Sequence, residues 1–377
     1  MDSSISGAVE DRPATPEPEQ KPSIHAQIAS TITFATHQSD VPVIADLSVV
    51  NQTGNDLEQL ELTLKTEPPV IGERTWTLDR IGAGSECRIS DRRVTIAGGM
   101  LNGLTERMRA ELRLELRHKG EVIAHLAHPL TALAKNEWGG ASTMPELLAA
   151  FVTPNDPGVQ RLLREASDVL QSCGRKGSLE GYQGKSRSRA WEIVSGIWAA
   201  VCGRRLTYAE PPASFETVGQ KIRLPSTIEE FGLATCLDTA LLFAAAIEQA
   251  GLHPVIVFTK GHAFCGAWLQ PQNLPSLTVD DPIEIRKAVD QHELVLFETT
   301  LVAADHPVPF TKAIAEARRQ IAEDREADFV YAVDIKLARS RGIQPLSTAM
   351  ATPTPPTSSA VMPTRVRNRV TRLTKLS

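Results

Sequence analysis

The chain has 377 residues, of which 42% are hydrophobic and 23% are charged, and its formal net charge is −5. No stretch approaches the ~18 consecutive apolar residues that a transmembrane helix requires, so we expect no membrane contact. The five cysteines are odd in number and have no CxxC spacing, which argues against a disulfide framework and against a cysteine-rich zinc site. We therefore expect a cytoplasmic protein, and the sequence suggests no metal and no cofactor.

The first 22 residues are acidic and rich in proline. They contain too few apolar residues to offset the entropic cost of ordering, so the sequence predicts disorder over 1–22. They also lack the apolar run of a signal peptide.

Residues 23–135 show short runs of alternating apolar residues separated by turn signals such as NQTGND and GAGS. The predicted strands are VPVIADLSVVN, LEQLELTLKTEP, CRISDRRVTI, RAELRLELRHKG and EVIAHLAHPLTAL. In ELRLELRH the leucines alternate with charged residues, as in a strand with one face in water. This pattern predicts an antiparallel β-sandwich of roughly seven strands.

The sequence KNEWGG ends that region, and a second domain is predicted over 140–346. Helical spacing of apolar residues predicts helices in MPELLAAFV, GVQRLLREASDVLQSC, SRAWEIVSGIWAAVCGR and AIAEARRQIAEDREAD. Residues 347–377 combine a Pro/Ser/Thr linker with a basic end, and we expect them to be disordered. The basic segment 365–375 is either a solvated tail or a weak contact for nucleic acid or an acidic partner.

The stretch TCLDTALLF contains the candidate nucleophile, Cys236. The residues after it form a strongly apolar helix that we expect to end at Gly251. With Thr235 as the N-cap, Cys236 lies in the first turn, where unpaired backbone N–H groups stabilise a thiolate. Asp238 in the same turn would oppose this, unless backbone N–H groups or a nearby basic group neutralise it.

A cysteine nucleophile also needs a base. HPVIVF and HAFCGAWL are predicted to form a hairpin packed on the helix, and strand alternation places Cys265 on the opposite face from His262. A third strand, ELVLFETT, ends near Glu298, which could orient the imidazole. The residues therefore suggest Cys236, His262 and Glu298 as a triad. The alternative is that Cys236 is a small core residue.

This order of Cys, long helix, Gly-Leu-His-Pro-Val-Ile-Val, Gly-His-Ala-Phe and Glu-Thr-Thr resembles the transglutaminase-like, papain-related cysteine enzymes over about 225–300. The resemblance implies an α+β domain in which a central buried helix packs on a small antiparallel sheet. It implies Cys236 as nucleophile, His262 as base and Glu298 as orienting acid, where the superfamily usually has Asp. The oxyanion donor is expected to be the Cys236 N–H, with Gln220 or Trp268 as further candidates.

The β-rich region, NEWGG, PELLAAFVTPNDP, PPASFETVGQKIRLPSTIEE and the Cys/His core together resemble the front region of large bacterial superfamily 1 helicase–nuclease proteins. This chain has no Walker A motif and thus no motor of its own. The two resemblances lead to two hypotheses. One is a cysteine protease, isopeptidase or acyltransferase acting on a protein or peptide. The other is a non-catalytic module that partners a helicase or nuclease in DNA processing or phage defence.

Overall fold

The computed structural model describes residues 21–141 and 144–347, together with the backbone at 364–365 and 370–372. The chain is an α+β protein in which most strand pairs are antiparallel. Most of the two segments predicted to be disordered, 1–22 and 347–377, lies outside the described residues. Two short pieces of the second segment are described, and each pairs with a strand of the first region.

The first region contains eight strands and two short helices. The strands are β1 (Ser23–Ile28), β2 (Thr31–Ile32), β3 (Ile44–Asn51), β4 (Leu57–Glu67), β5 (Arg74–Ile81), β6 (Ser85–Arg88), β7 (Met108–His118) and β8 (Glu121–Ala132), and the helices are α1 (Phe34–Gln38) and α2 (Gly98–Gly103). One sheet has the order β1-β3-β6 and the other the order β5-β4-β7-β8-β2.

Alternating leucines explain the central pair of the larger sheet. Strands β4 and β7 are antiparallel with Leu62 opposite Leu116 and Leu64 opposite Leu114. All four side chains are fully buried, while the polar residues between them, Thr63 and Glu115, lie on the other face. Each buried leucine contributes on the order of 2 kcal/mol to stability. A shift of register by one residue would expose them all, so this alternation fixes the pairing.

Two parts of this region differ from the strands predicted from the sequence. The predicted strand CRISDRRVTI is a strand only at its start, because β6 ends at Arg88 and the chain then turns away from the sheet. Strands β1 and β5 were not predicted. In β5 the polar residues outnumber the apolar ones, yet Trp76 and Leu78 are fully buried.

The second region carries the helices and a further sheet. Its strands are β9 (Glu137–Trp138), β10 (Thr207–Tyr208), β11 (Gln220–Lys221), β12 (Leu233–Ala234), β13 (Pro254–Thr259), β14 (His262–Trp268), β15 (Thr278–Val279), β16 (Leu294–Phe297) and β17 (Phe329–Asp334). Its α-helices are α3 (Pro157–Ser172), α4 (Arg187–Gly203), α5 (Phe215–Val218), α6 (Pro225–Phe231), α7 (Cys236–Gln249), α8 (Pro282–Asp290), α9 (Phe310–Gln320) and α10 (Ile335–Ser340).

Among the described residues, 3-10 helices span Pro145–Phe151, Gly181–Gly184, Thr299–Ala303 and Glu323–Asp328. The first of them occupies the segment predicted as the helix MPELLAAFV. The short described pieces of the C-terminal segment are β18 (Thr364–Arg365), beside β5, and β19 (Val370–Arg372), beside β6. No helix in the described ranges is long and apolar enough to cross a membrane.

The main sheet of the second region has the order β15-β17-β13-β14-β16. Helix α7 packs on one face, and its residues 236–247 are all buried. Ala263 and Cys265 of β14 belong to the core cluster shared with α7. Phe264 and Trp268 alternate with them and belong to a second cluster on the other face, together with Ile285 of α8.

The segment between the two regions packs closely against helix α5. Gly219 has φ +81°, and a Cβ atom there would lie 1.8 Å from the carbonyl oxygen of Trp138. A Cβ atom at Gly140, with φ +77°, would lie 2.3 Å from the carbonyl oxygen of Thr217. Only glycine tolerates both the backbone conformation and the close approach. The Gly-Gly of KNEWGG is therefore a packing contact as well as a break between regions.

The end of the second region also contacts the first. The backbone N–H of Ser347 donates to Oε1 of Gln38 at 2.8 Å, and that of Gln344 donates to Oγ of Ser39 at 3.2 Å. The Gln38 amide nitrogen in turn donates to the carbonyl oxygen of Pro345. One continuous hydrophobic cluster includes residues of both regions.

Candidate active site

Cys236 is the first residue of α7. Thr235 is the N-cap: its Oγ1 accepts a hydrogen bond from the Asp238 N–H at 3.1 Å, and Asp238 Oδ2 accepts from the Thr235 N–H at 3.0 Å. This reciprocal pair is a capping box, which orders the first helical turn. The N–H of the first helical residue has no partner within a helix, so the backbone N–H of Cys236 is a donor at the site.

Asp238 is fully buried, and its carboxylate is neutralised by a basic residue. Oδ2 accepts from the Arg223 guanidinium at 2.9 Å, and Oδ1 accepts from the Arg223 backbone N–H at 2.8 Å. The negative charge in the same helical turn as Cys236 is therefore balanced by a positive charge. The sequence left open whether Asp238 binds backbone N–H groups or a basic group, and the structure shows that it does both.

The Glu298 carboxylate is held by four hydrogen bonds. Oε2 accepts from His262 Nε2 at 2.7 Å and from the Gln320 amide at 2.6 Å. Oε1 accepts from the Thr300 backbone N–H at 2.9 Å and from its hydroxyl at 2.7 Å. Burial alone would raise the pKa of Glu298, but the His262 and Thr300 donors hold it below its usual value. Glu298 is therefore a fixed, charged partner for the imidazole.

The imidazole lies between Glu298 and Cys236. Burial lowers the pKa of His262, but polar contacts with Cys236 and then with Glu298 outweigh it and raise the pKa to about 10. Since Nε2 is bonded to Glu298, Nδ1 is the nitrogen available to the thiol. The structure thus brings Cys236, His262 and Glu298 together.

His262 reaches Cys236 because of its place in the strand. It is the first residue of β14, and the residues that share its parity, Phe264 and Trp268, lie on the face away from α7. The imidazole therefore meets the thiol at the end of the sheet, beside the first turn of α7. Alternation separates His262 from Cys265 as the sequence suggested, but Cys265 lies on the helix side of the sheet.

Tyr208 is a site residue that the sequence analysis missed. Its hydroxyl makes a polar contact with Cys236, and burial followed by the nearby Cys236 and Glu210 raises its pKa. Tyr208 belongs to the two-residue strand β10, which pairs with β12 just before Cys236. Cys236 has no exposed surface, whereas Tyr208 is half-buried. Tyr208 therefore helps to enclose the thiol, and the sequence around it carries no motif that would have indicated this.

Gln320 and Thr300, which hydrogen-bond the Glu298 carboxylate, were also not identified as site residues from the sequence. Gln320 ends helix α9, 22 residues after Glu298 in the chain. No local pattern links two such residues. Thr300 had a detectable signal, since a hydroxyl residue two positions after a carboxylate commonly forms a local side chain-to-backbone motif.

The two further oxyanion candidates lie in different places. Gln220 is buried in β11, and its amide nitrogen donates to Thr235 Oγ1 at 3.0 Å, which places it beside the N-cap of α7. Trp268 lies at the end of β14 far from His262. It belongs to the cluster on the face of the sheet that is turned away from α7. The structure therefore brings Gln220, but not Trp268, to the start of the helix.

Cys265 is fully buried, and burial raises its pKa. Its Sγ lies 3.5 Å from the carbonyl oxygen of Gly266. Such a thiol is a packing group and not a nucleophile. Within the described ranges, no group of three or more His, Cys, Asp and Glu side chains is arranged to hold a metal ion.

No protein-family model matches the sequence, and no curated protein is significantly similar to it.

Proposed function

We propose that this protein is a cytoplasmic cysteine hydrolase or acyltransferase, a protease or isopeptidase, that uses Cys236, His262 and Glu298 on a transglutaminase-like domain. The first region, in this proposal, is a β-sandwich domain of residues 23–135 that precedes a catalytic domain of 140–346. The observation that carries the proposal is the imidazole held at 2.7 Å by a buried carboxylate while it contacts a cysteine at a helix N-terminus. A structural core cysteine needs neither partner.

The chemistry follows from the three roles. The Cys236 thiolate attacks the carbonyl carbon of an amide, and the imidazolium of His262 gives its proton to the departing amine, leaving a thioester. His262 then takes a proton from water or from an acceptor amine, which attacks the thioester carbonyl. The bond between the acyl group and sulfur breaks, the acyl product leaves, and the Cys236 thiolate and His262 imidazolium are restored. Glu298 keeps the ring oriented and stabilises its positive charge.

The attack places a negative charge on the carbonyl oxygen of the tetrahedral intermediate, and hydrogen-bond donors must stabilise that charge. The backbone N–H of Cys236 is the first, because it is free at the start of α7. The Gln220 amide is the second candidate, since it lies against Thr235. Trp268 is too far along β14 to contribute in this arrangement.

A substrate carbonyl must reach a thiol that has no exposed surface. Tyr208, which is half-buried and contacts Cys236, is one of the side chains that cover the thiol. Few backbone hydrogen bonds hold its strand, among them Thr207 N–H to Gly232 O at 2.7 Å and Ala209 N–H to Ala234 O at 2.9 Å. A short strand of this kind opens at a low cost in free energy. Its displacement would expose Cys236 to the substrate.

The proposal is tested by covalent labelling. Wild-type protein and Cys236→Ala are incubated with an acyl-donating thioester probe, and the intact mass is measured. We expect one acyl group on the wild type, located at Cys236 by peptide mapping, and none on the variant. Release of the acyl group to water alone, or to an added primary amine, then distinguishes hydrolysis from transfer. Equal labelling of both proteins would overturn the proposal.

The complete burial of Cys236 favours a second candidate, a non-catalytic module that binds a helicase or nuclease partner and contacts nucleic acid through 365–375. The triad would then be a structural remnant. The two candidates separate in one comparison: Cys236→Ala abolishes the first function and leaves the second intact. Co-purification of a partner with Cys236→Ala, together with no acyl labelling of the wild type, would favour the module.

A further inference from the structure

Helix α7 and the segment that carries Glu298 are joined by a pair of buried threonine hydroxyls. Oγ1 of Thr239, on α7, lies 3.0 Å from Oγ1 of Thr299, which directly follows Glu298 in the chain. The two threonines are 60 positions apart in the sequence, and they are 1% and 0% exposed. The helix of Cys236 and the segment of Glu298 are therefore connected by a direct polar contact inside the core.

The number of protons available fixes the direction of this hydrogen bond. The Thr239 hydroxyl donates to the backbone carbonyl oxygen of Cys236 at 2.8 Å. A hydroxyl has one proton to donate and two lone pairs, so Thr239 accepts and Thr299 donates in the bond between them. A chain of two hydrogen bonds thus runs from the Thr299 hydroxyl, through Thr239, to the peptide carbonyl of Cys236.

Thr299 is held in place by the same residue that orients the imidazole. Glu298 is the N-cap of the 3-10 helix that begins at Thr299, and its Oε1 accepts from the Thr300 N–H at 2.9 Å. Its Oε2 binds His262 at 2.7 Å. Thr299, Glu298 and the imidazole are therefore fixed to one another, and the Thr239 hydroxyl fixes them to the first turns of α7.

Packing alone does not require these hydroxyls, because valine has nearly the same shape as threonine and would fill the same space without a buried polar atom. We propose that Thr239 and Thr299 are positioning residues that set the distance between the Cys236 sulfur and the imidazole held by Glu298. Misplacement of reacting groups by ~1 Å can slow a reaction about 100-fold. This inference rests on the proposed function, since it concerns the geometry of the Cys236 site.

The test measures the His262 ring by NMR titration, without any substrate, and His262→Gln identifies its signal. Burial lowers the pKa of His262, and contacts with Cys236 and then with Glu298 raise it to about 10. Thr299→Val should weaken the contact between the ring and the thiol and lower the titration midpoint by about one unit. Thr299→Ser keeps the hydroxyl and should keep the wild-type midpoint. An unchanged midpoint in Thr299→Val would overturn the inference.

These variants change no charged group around the imidazole. The titratable groups that contact the ring are Cys236 of α7 and Glu298 at the end of β16. Gln320 of α9, which binds the same carboxylate oxygen, is a neutral amide, and Tyr208 of β10 contacts the ring's partner, Cys236. Every one of these side chains is retained, so a shift of the midpoint reports a change in geometry and not a change in charge.

Thr66→Val is the matched control for the loss of a buried threonine hydroxyl. Thr66 lies in β4 of the first region, where its Oγ1 donates to the carbonyl oxygen of Ile71 at 3.1 Å and accepts from the Ile71 N–H at 3.0 Å. Thr66→Val should lower the melting temperature but leave the His262 midpoint unchanged. An equal shift of the midpoint in Thr66→Val would show a general loosening of the protein and would overturn the inference.

Thr239→Val removes the other end of the same hydrogen bond and provides a second, independent variant. Each single variant should slow acyl labelling of Cys236 at least ~10-fold. The double variant should be no slower than Thr239→Val alone, because no bond between the two side chains is left to break. Losses that multiply in the double variant would show that the hydroxyls act independently and would overturn the inference.

The positioning pair and the proposed enzyme fail separately. A lowered His262 midpoint in Thr299→Val, together with no acyl labelling of the wild type, would overturn the enzyme and keep the positioning pair. Acyl labelling of the wild type, together with an unchanged midpoint in Thr299→Val, would keep the enzyme and overturn the positioning pair.

Discussion

Glu298 binds His262 through one carboxylate oxygen while Thr300 occupies the other. The superfamily that the sequence resembles usually has the shorter Asp in this role. Here the longer side chain starts at the N-cap of a 3-10 helix and is clamped by Thr300 and Gln320. These hydrogen bonds restrict the conformational freedom that a longer side chain would otherwise have. Glu298 can therefore orient the imidazole ring as an Asp would.

We predict that Glu298→Gln slows acyl labelling of Cys236 by at least about 10-fold, because a neutral amide cannot stabilise the imidazolium. Intact-mass spectrometry over time measures the rate. Glu316→Gln, which removes a carboxylate paired with Arg319 on the surface of α9, should leave the rate unchanged. A labelling rate for Glu298→Gln equal to that of the wild type would remove Glu298 from the triad.

We predict that Tyr208→Ala speeds modification of Cys236 by iodoacetamide several-fold, because it removes a side chain that encloses the thiol. Tyr208→Phe keeps the ring and should not speed it. Cys173 is exposed in the same chain and serves as an internal reference for reagent quality. If Tyr208→Ala and Tyr208→Phe behave alike, the ring does not control access.

We predict that Thr235→Ala lowers the free energy of unfolding by about 1 kcal/mol, through loss of the N-cap hydrogen bond. Thr235→Ser keeps the hydroxyl and should cost much less. Urea denaturation of both variants measures the difference. Equal losses for the two would show that the methyl group, and not the cap, is the stabilising part of Thr235.

The raised pKa of His262 predicts a pH-dependent stability. The folded protein holds this proton up to pH about 10, whereas an unperturbed histidine has a pKa of 6.5. The stabilisation is therefore complete below pH 6.5 and is lost as the pH rises through about 10. The difference in free energy of unfolding between wild type and His262→Gln should shrink from pH 6.5 to pH 10, measured by urea denaturation. In the Glu298→Gln background this pH-dependent change should be smaller, and a difference that grows with pH would contradict the raised pKa.

Local patterns predicted the parts of the site that local physics determines. The N-cap at Thr235, the buried helix after it and the strand of His262 follow from composition and periodicity. The predicted strand ELVLFETT is a strand only over Leu294–Phe297, and Glu298 lies just after it, at the N-cap of a 3-10 helix. The sequence also indicated that Asp238 could bind backbone N–H groups or a basic group. It did not indicate that the basic group is Arg223.

The remaining features of the site and of the fold depend on tertiary structure. Tyr208 and Gln320 reach the site through contacts between segments distant in sequence, and neither has a periodic signal. Strand alternation was also insufficient for His262, because its position at the end of β14, and not its face, brings it to Cys236. The polar β5 was missed because its neighbours in the sheet, and not its composition, bury Trp76.

The bonds from Gln38 and Ser39 to residues 344–347 have a consequence for the covalent link between the two regions. The chain passes from the first region to the second near residue 136 and contacts the first region again at 344–347. The two regions are therefore joined by the peptide chain at one place and by hydrogen bonds at another. A protease cut near 136 would break the peptide bond without freeing either half. The two fragments should migrate as one band on a native gel and separate only in denaturant.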